Sequence, residues 1–252
     1  MMVDLSDRIR SLWSDGRADC LGVIFYYHAV PAASRAGFAR QLDWLARHTT
    51  FWALGGPLPD ARRWVGLSFD DAYVSVWENA VPELVERGIP FTVFVPTGSL
   101  GTRPGWVQQP HHPFWHERVM SAQHIRTLAG VPGVTVGSHT VTHPRLSRLS
   151  LSAAHRELVE SKAALEDLIG QPVELLSFPH GDWNQAVIEL ALEAGYRRLF
   201  GIEPRCYRTR EVPSFMGRVA LEPWDPLLVL RLKSRGAYRW SVRGFRAPCI
   251  RA

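Results

Sequence analysis

Two short stretches carry side chains of the kind that hydrolytic chemistry uses. In Leu67-Ser68-Phe69-Asp70-Asp71-Ala72-Tyr73, what reads as the end of a buried strand runs straight into two carboxylates. Neighbouring strand residues point to opposite sides, so the pair is poorly placed to make one ion pair. It is well placed to give one acid to a metal and leave the other free as a base. Alone, such a pair is also ordinary turn chemistry. The second stretch, Val134 to Ser138, reads as another strand and is followed at once by His139-Thr140-Val141-Thr142-His143. Two histidines four residues apart share a face of a helical turn and can reach one cation. Zinc commonly takes two histidines and a carboxylate and leaves a position open for water. One of the two aspartates, with His139 and His143, completes that set.

These groups need a scaffold, and the pattern supplies strands alternating with helices. Residues 21–28, 64–69, 91–95, 134–138, 173–178, 196–202 and 218–221 read as strands. Helices are expected at 36–48, 76–87 (closed by Gly88), near 121–129, at 153–169 (capped by Ser152), from the Asn184 cap to Gly195, and from Pro226 to about Lys233. Between them, 97–116 is irregular and rich in Gly, Pro, Trp and His. Alternation of this kind implies parallel βα units, with each chemical group at a strand's C-terminal end, where barrel active sites gather.

Four segments, in this order, resemble the polysaccharide deacetylases (NodB-like carbohydrate esterases) across roughly residues 21–225. They are Tyr27-His28-Ala29-Val30, Ser68 to Tyr73, Ser138 to His143, and Ser177-Phe178-Pro179-His180-Gly181. The resemblance implies an α/β fold, an irregular (β/α) barrel in a single domain over 21–230, after an N-terminal segment 1–20 and before a basic tail 231–252. It implies Asp71, His139 and His143 as metal ligands, with Zn2+ expected and Co2+, Ni2+ or Mn2+ as alternatives, and Asp70 as the base that takes a proton from water attacking an acetamide. The residue after the loop proline, here His180, would supply a backbone N–H to the oxyanion. Tyr73, Pro179, His180 and Trp115 are expected beside the substrate, an N-acetylated amino sugar in a glycan or glycan precursor.

The chain departs from the family pattern in two places. No histidine follows His180, so the late-strand histidine that often protonates the leaving amine is missing, and His28 and His180 remain as candidates. The arginine that usually orients the catalytic aspartate is not visible beside Phe178-Pro179. Either Arg218 does that work or it lies on the surface. Alternatives to deacetylation are removal of another small acyl group such as formyl, or a glycan-binding barrel without catalysis. His111, His112 and His116 read as part of a substrate-covering loop in preference to a second metal site.

Of the 252 residues, 46% are hydrophobic, enough for a large core. The net charge of +5 is local: residues 231–252 hold seven cations and no acid, and without them 22 cations face 24 acids. With Tyr238, Trp240 and Phe245, that tail has the composition for peripheral contact with an anionic surface, though a surface-packed terminus is the simpler expectation. No nucleic-acid partner is expected. The first twenty residues carry acids and no apolar core, so no secretory signal is read there. Cys20, Cys206 and Cys249, odd in number and widely spaced, agree with a reducing compartment. The expected location is the cytoplasm.

Overall fold

The computed structural model describes residues 20–237. Its strands are β1 (Gly22–Tyr27), β2 (Thr50–Trp52), β3 (Trp64–Phe69), β4 (Phe91–Val95), β5 (Val134–Ser138), β6 (Leu175–Ser177), β7 (Arg198–Phe200), β8 (Phe215–Met216) and β9 (Val219–Ala220). They form one sheet in the order β8-β7-β6-β5-β4-β3-β1-β9, with β2 also paired to β3. All these pairings are parallel. A parallel sheet is covered on both faces and its strands read as continuous apolar runs. Every residue of β1, β3 and β4 is accordingly buried.

Alternation within the strands divides the core in two. Val23, Phe25, Tyr27, Val65, Leu67 and Phe69 pack outward with helix residues such as Leu42, Leu45, Leu84 and Leu158. Ile24, Trp64, Phe94, Phe200 and Met216 fill the interior. The helices are α1 (Arg35–His48), α2 (Val81–Glu86, entered through a π-helical turn at Val76–Ala80), α3 (Ala122–Ala129), α4 (Leu151–Ile169), α5 (Gln185–Glu193) and α6 (Leu227–Ser234). The cap of α4 is Ser150, whose hydroxyl accepts from the Ala153 N–H, and not Ser152. Its far end closes on Gly170, whose φ of 66° is a conformation that glycine adopts without a Cβ penalty.

The curl of the sheet follows from one short connection. Strands β8 and β9 stand at opposite ends of the order, yet only Gly217 and Arg218 separate them. Consecutive Cα atoms are about 3.8 Å apart, so the sheet must bend until its edges nearly meet. The result is the irregular (β/α) barrel. It places Arg218 at the seam, where the side chain is fully buried. Gly217 belongs there for room as well, since a Cβ would come within 2.2 Å of the Glu203 carbonyl oxygen.

The expectation of separate, reduced thiols is overturned. Cys20, just before β1, is joined to Cys206 by a disulfide, with Cα atoms 5.6 Å apart. The two lie 186 residues apart in sequence, so pairing depended on barrel closure and could not be read from spacing. Cys249, most of the N-terminal segment 1–20 and much of the basic tail lie outside the described residues. Among the described residues, no helix is long and apolar enough to cross a membrane.

Candidate active site

Because the strands are parallel, their C-terminal ends share one rim, and the candidate residues meet there. The two aspartates follow β3. An extended chain would turn them to opposite sides, but Asp71 has φ 68° and Ala72 φ 49°. This left-handed turn brings the second carboxylate back to the same rim as the first. His139 and His143 follow β5, with Thr140 (φ 65°) and His143 (φ 60°) bent in the same way. Nonglycine residues in this region cost energy that the surroundings must offset.

His139 Nε2 lies 3.5 Å and His143 Nε2 3.2 Å from Asp71 Oδ1. The three side chains offer donor atoms all within 4.8 Å of one another, and all three residues are buried. Among the described residues, no other group of histidines, cysteines and acids gathers this way, so His111, His112 and His116 form no second cluster. Two observations fit a cation at this point. Asp71 Oδ1 is buried without a hydrogen bond of ordinary geometry although two imidazoles face it. His139 Nδ1 lies 2.7 Å from the Ser177 carbonyl oxygen, so it carries the proton and leaves the Nε2 lone pair turned inward. Burial pushes the His139 ring down to about 4, against the pull of Asp70 and Asp71, so it is neutral and able to ligate.

Asp70 is held differently. Arg218 grips it with two hydrogen bonds, Nη1 to Oδ1 at 2.7 Å and Nη2 to Oδ2 at 2.8 Å. The same guanidinium donates to Ser68 Oγ, Ser177 Oγ and the Gly201 carbonyl, so all its nitrogens are engaged. Tyr26, Phe94 and Phe200 pack around it, with ring centroids 4.8, 5.3 and 5.9 Å from its central carbon. Burial alone would raise the Asp70 carboxyl, but Arg218, helped by His139, holds it below the usual carboxylate range. Asp71 is also lowered: burial opposes, and His143 and His139 outweigh it. Of the two readings of Arg218, the structure supports the buried partner of Asp70.

His28, after β1, is half-buried with its ring 5.3 Å from Phe114. It lies close enough to Asp70, Asp71 and Glu222 to influence their ionisation. His180 sits in the turn Pro179–Gly181 at φ 58°, its exposed ring 4.5 Å from that of His143. Pro179 and Tyr73 are buried. The Tyr73 ring packs on Phe114 at 5.2 Å. Its hydroxyl is raised far above the ordinary range by burial and the Asp71 charge. Trp115 lies under Arg103, 4.4 Å from ring centre to guanidinium carbon, whereas Trp106 stacks on His143 at 4.2 Å.

Four contributors escaped the sequence reading. Trp106 was one ring among several in an irregular loop. Ser177 bridges the two halves of the site, its carbonyl holding His139 and its hydroxyl meeting Asp70 and Arg218. Glu157 of α4 accepts from the Val141 N–H at 2.8 Å, the Thr142 N–H at 2.9 Å and the Thr142 hydroxyl at 2.7 Å, clamping the turn between the two histidines. Glu222, two residues past β9, has a buried carboxylate oxygen without a hydrogen bond. Burial raises its ionisation range, opposed by His28.

The family model described as polysaccharide deacetylase matches residues 58–199, over half of the chain. The chain belongs to the polysaccharide deacetylase family. A chitooligosaccharide deacetylase of Rhizobium leguminosarum bv. trifolii is 28% identical over 137 residues, 54% of this chain and 55% of that one. A poly-beta-1,6-N-acetyl-D-glucosamine N-deacetylase of Staphylococcus aureus is 20% identical over 207 residues, 75% of this chain and 68% of that one. The chain spans about half the length of the first curated relatives it matches. Among solved structures, IcaB from Ammonifex degensii superposes with a TM-score of 0.71 over 85% of this chain and 97% of that one, at 23% identity. The deacetylase barrel is thus shared in shape well beyond its sequence likeness.

Proposed function

We propose that the chain is a metal-dependent hydrolase that removes the N-acetyl group from an amino sugar in a β-linked N-acetylglucosamine glycan or its precursor. The observation that carries this reading is the pairing of a buried Asp71/His139/His143 donor set with a neighbouring carboxylate, Asp70, fixed by Arg218. Family membership and the names of the relatives agree with it. Asp71, His139 and His143 would hold the ion. Zinc suits two imidazoles and a carboxylate best, and cobalt, nickel or manganese accept the same donors. When bound, such an ion acidifies water and polarises a carbonyl.

The chain's own groups then divide the remaining work. Asp70 stays ionised beside Arg218 and takes the proton from the attacking water. The bidentate grip leaves it one orientation, so little reorganisation accompanies the transfer. The His180 backbone N–H, at the left-handed turn, faces the developing oxyanion. His28, on the same rim and near Asp70 and Glu222, protonates the departing amine. Trp106, stacked on His143, and Tyr73 form apolar walls suited to the acetyl methyl and the sugar face. The arginine-locked base weighs against a pure binding barrel, which has no use for one.

The Cys20–Cys206 disulfide bears on location. Such bonds persist in oxidising compartments, so this pair favours one over the cytoplasm that the sequence suggested.

Incubating the protein with chito-oligosaccharides and added zinc or cobalt tests the proposal. Acetate release that chelation abolishes and metal restores supports it. Binding of the oligosaccharide without acetate release, with the ion demonstrably bound, overturns it.

A further inference from the structure

Beyond the rim, the least expected surface runs along α6. Buried residues Leu230 and Ser234 attach the helix to the barrel, and Arg231 reaches over the Trp44 ring of α1. The other face carries Leu228 and Leu232, four residues apart, which are 65% and 41% exposed. Trp224, one turn earlier, is 54% exposed. Three large apolar side chains in series thus stay open to solvent among the described residues, although scattered single ones would need no explanation.

Towards the C-terminal end of α6 the surroundings are basic, while Asp225, next to Trp224, is paired with Lys233. Arg231 and Arg235 are exposed on the same helix end. Beside that end opens a cleft of about 820 Å³, lined by Arg47, His48, Arg62, Arg63 and Arg235 among others; among the described residues no acid lines it. The cleft borders Leu21, Thr50 and Arg63, at the starts of β1, β2 and β3. It therefore lies at the end of the barrel opposite the candidate active site. The sequence continues in the same character: beyond residue 237 it holds Arg239, Arg243, Arg246 and Arg251 with Tyr238, Trp240 and Phe245, and no acid.

An apolar stripe bordered by cations, with a tryptophan at its edge, is complementary to one kind of surface. Apolar side chains enter the acyl boundary, tryptophan favours the headgroup level, and arginines pair with phosphate. We infer that α6 and the adjoining arginine cleft dock the protein on an anionic phospholipid membrane. Neither element belongs to the proposed catalytic machinery, so the inference stands or falls apart from the hydrolase reading.

Co-sedimentation with phosphatidylcholine vesicles, with and without phosphatidylglycerol, tests it on the full chain. The protein should sediment with the phosphatidylglycerol vesicles at low salt and release at high salt. The triple variant Trp224→Ser/Leu228→Ser/Leu232→Ser should lose about tenfold or more in vesicle affinity. Its melting temperature and its hydrolysis of a soluble oligosaccharide should not change. Arg62→Glu/Arg235→Glu should abolish the preference for phosphatidylglycerol. No sedimentation of the wild type, or undiminished sedimentation of the triple variant, overturns the inference. So does a change in self-association on ultracentrifugation without a change in vesicle binding, which would assign the stripe to a second copy of the chain.

Discussion

The two ends of this barrel handle the same backbone problem in opposite ways. Where the chain reverses away from the rim, left-handed residues are glycines: Gly88 after α2, Gly133 before β5, Gly170 after α4 and Gly195 after α5. At the rim, Gly101 and Gly181 aside, the left-handed residues are Asp71, Ala72, Thr140, His143 and His180. An aspartate or histidine in that conformation costs about 1–2 kcal/mol relative to a relaxed residue. Glycine would remove the cost and also the carboxylate or imidazole. The cost is accepted where a side chain must be aimed and avoided where only a turn is needed. Strain at the rim is offset by support from other elements, since Arg218, Ser177 and Glu157 all bond to it.

The largest expected effect tests the rim's chemistry without disturbing its shape. Asp70→Asn keeps the size of the side chain but removes the base. Turnover should fall about a hundredfold to ten-thousandfold. Zinc binding, measured by equilibrium dialysis, should persist. A variant with near wild-type turnover would remove Asp70 from its role. His143→Ala provides the counterpart. It should lose the ion as well as activity, and with it the rise in melting temperature that zinc is expected to give the wild type.

Next in size is the support beneath the base. Arg218→Met strips the charge from a fully buried pair and leaves Asp70 uncompensated. The cost should be about 3–5 kcal/mol, read from denaturant unfolding. The double variant Arg218→Met/Asp70→Asn should recover part of it, because no buried charge is then stranded. If the single variant unfolded like the wild type, the seam would not be the strut described.

How much of this was legible depended on whether a feature is local. The Asp-Asp step and the histidines four apart lie within seven residues each, and the strand pattern around them gave both their rim and the alternation of the barrel. Arg218 remained ambiguous because its role arises only when β8 and β9 bring residues 217–218 across the seam. The Cys20–Cys206 pair failed for the same reason. Ser177 and Glu157 act through a carbonyl, a hydroxyl and a carboxylate that have no spacing signature. The α4 start was misplaced because Leu149-Ser150-Leu151-Ser152 offers two equivalent caps; Ser150 won by reaching Ala153.

Glu157 gives a smaller effect at the rim. Glu157→Ala leaves Asp71, His139 and His143 untouched but frees the Val141 and Thr142 groups that it holds. Zinc affinity should drop about tenfold to a hundredfold, as it does when an outer partner of a ligand is lost. A cobalt-substituted variant should show an altered visible spectrum. Glu157→Gln, which still offers a carbonyl oxygen to these donors, should recover much of the affinity. An Ala variant with wild-type affinity would mean that the left-handed turn holds itself.

The smallest effect tests the contrast itself. Gly170→Ala meets nothing within 4 Å of the added Cβ, so any loss is purely conformational. It should cost about 1 kcal/mol. Ala72→Gly at the rim should do the reverse for its backbone, relieving a similar strain. Ala72 is fully buried, however, and deleting its methyl forfeits about 0.8 kcal/mol of burial. The two nearly cancel, so its stability should stay within about 0.5 kcal/mol of the wild type. Metal binding would then report the remainder: a freer backbone after Asp71 lets that carboxylate wander, and zinc affinity should weaken although the fold does not. Equal stability losses at both positions would mean that the rim is no more strained than the far end, and that its side chains are aimed by packing alone.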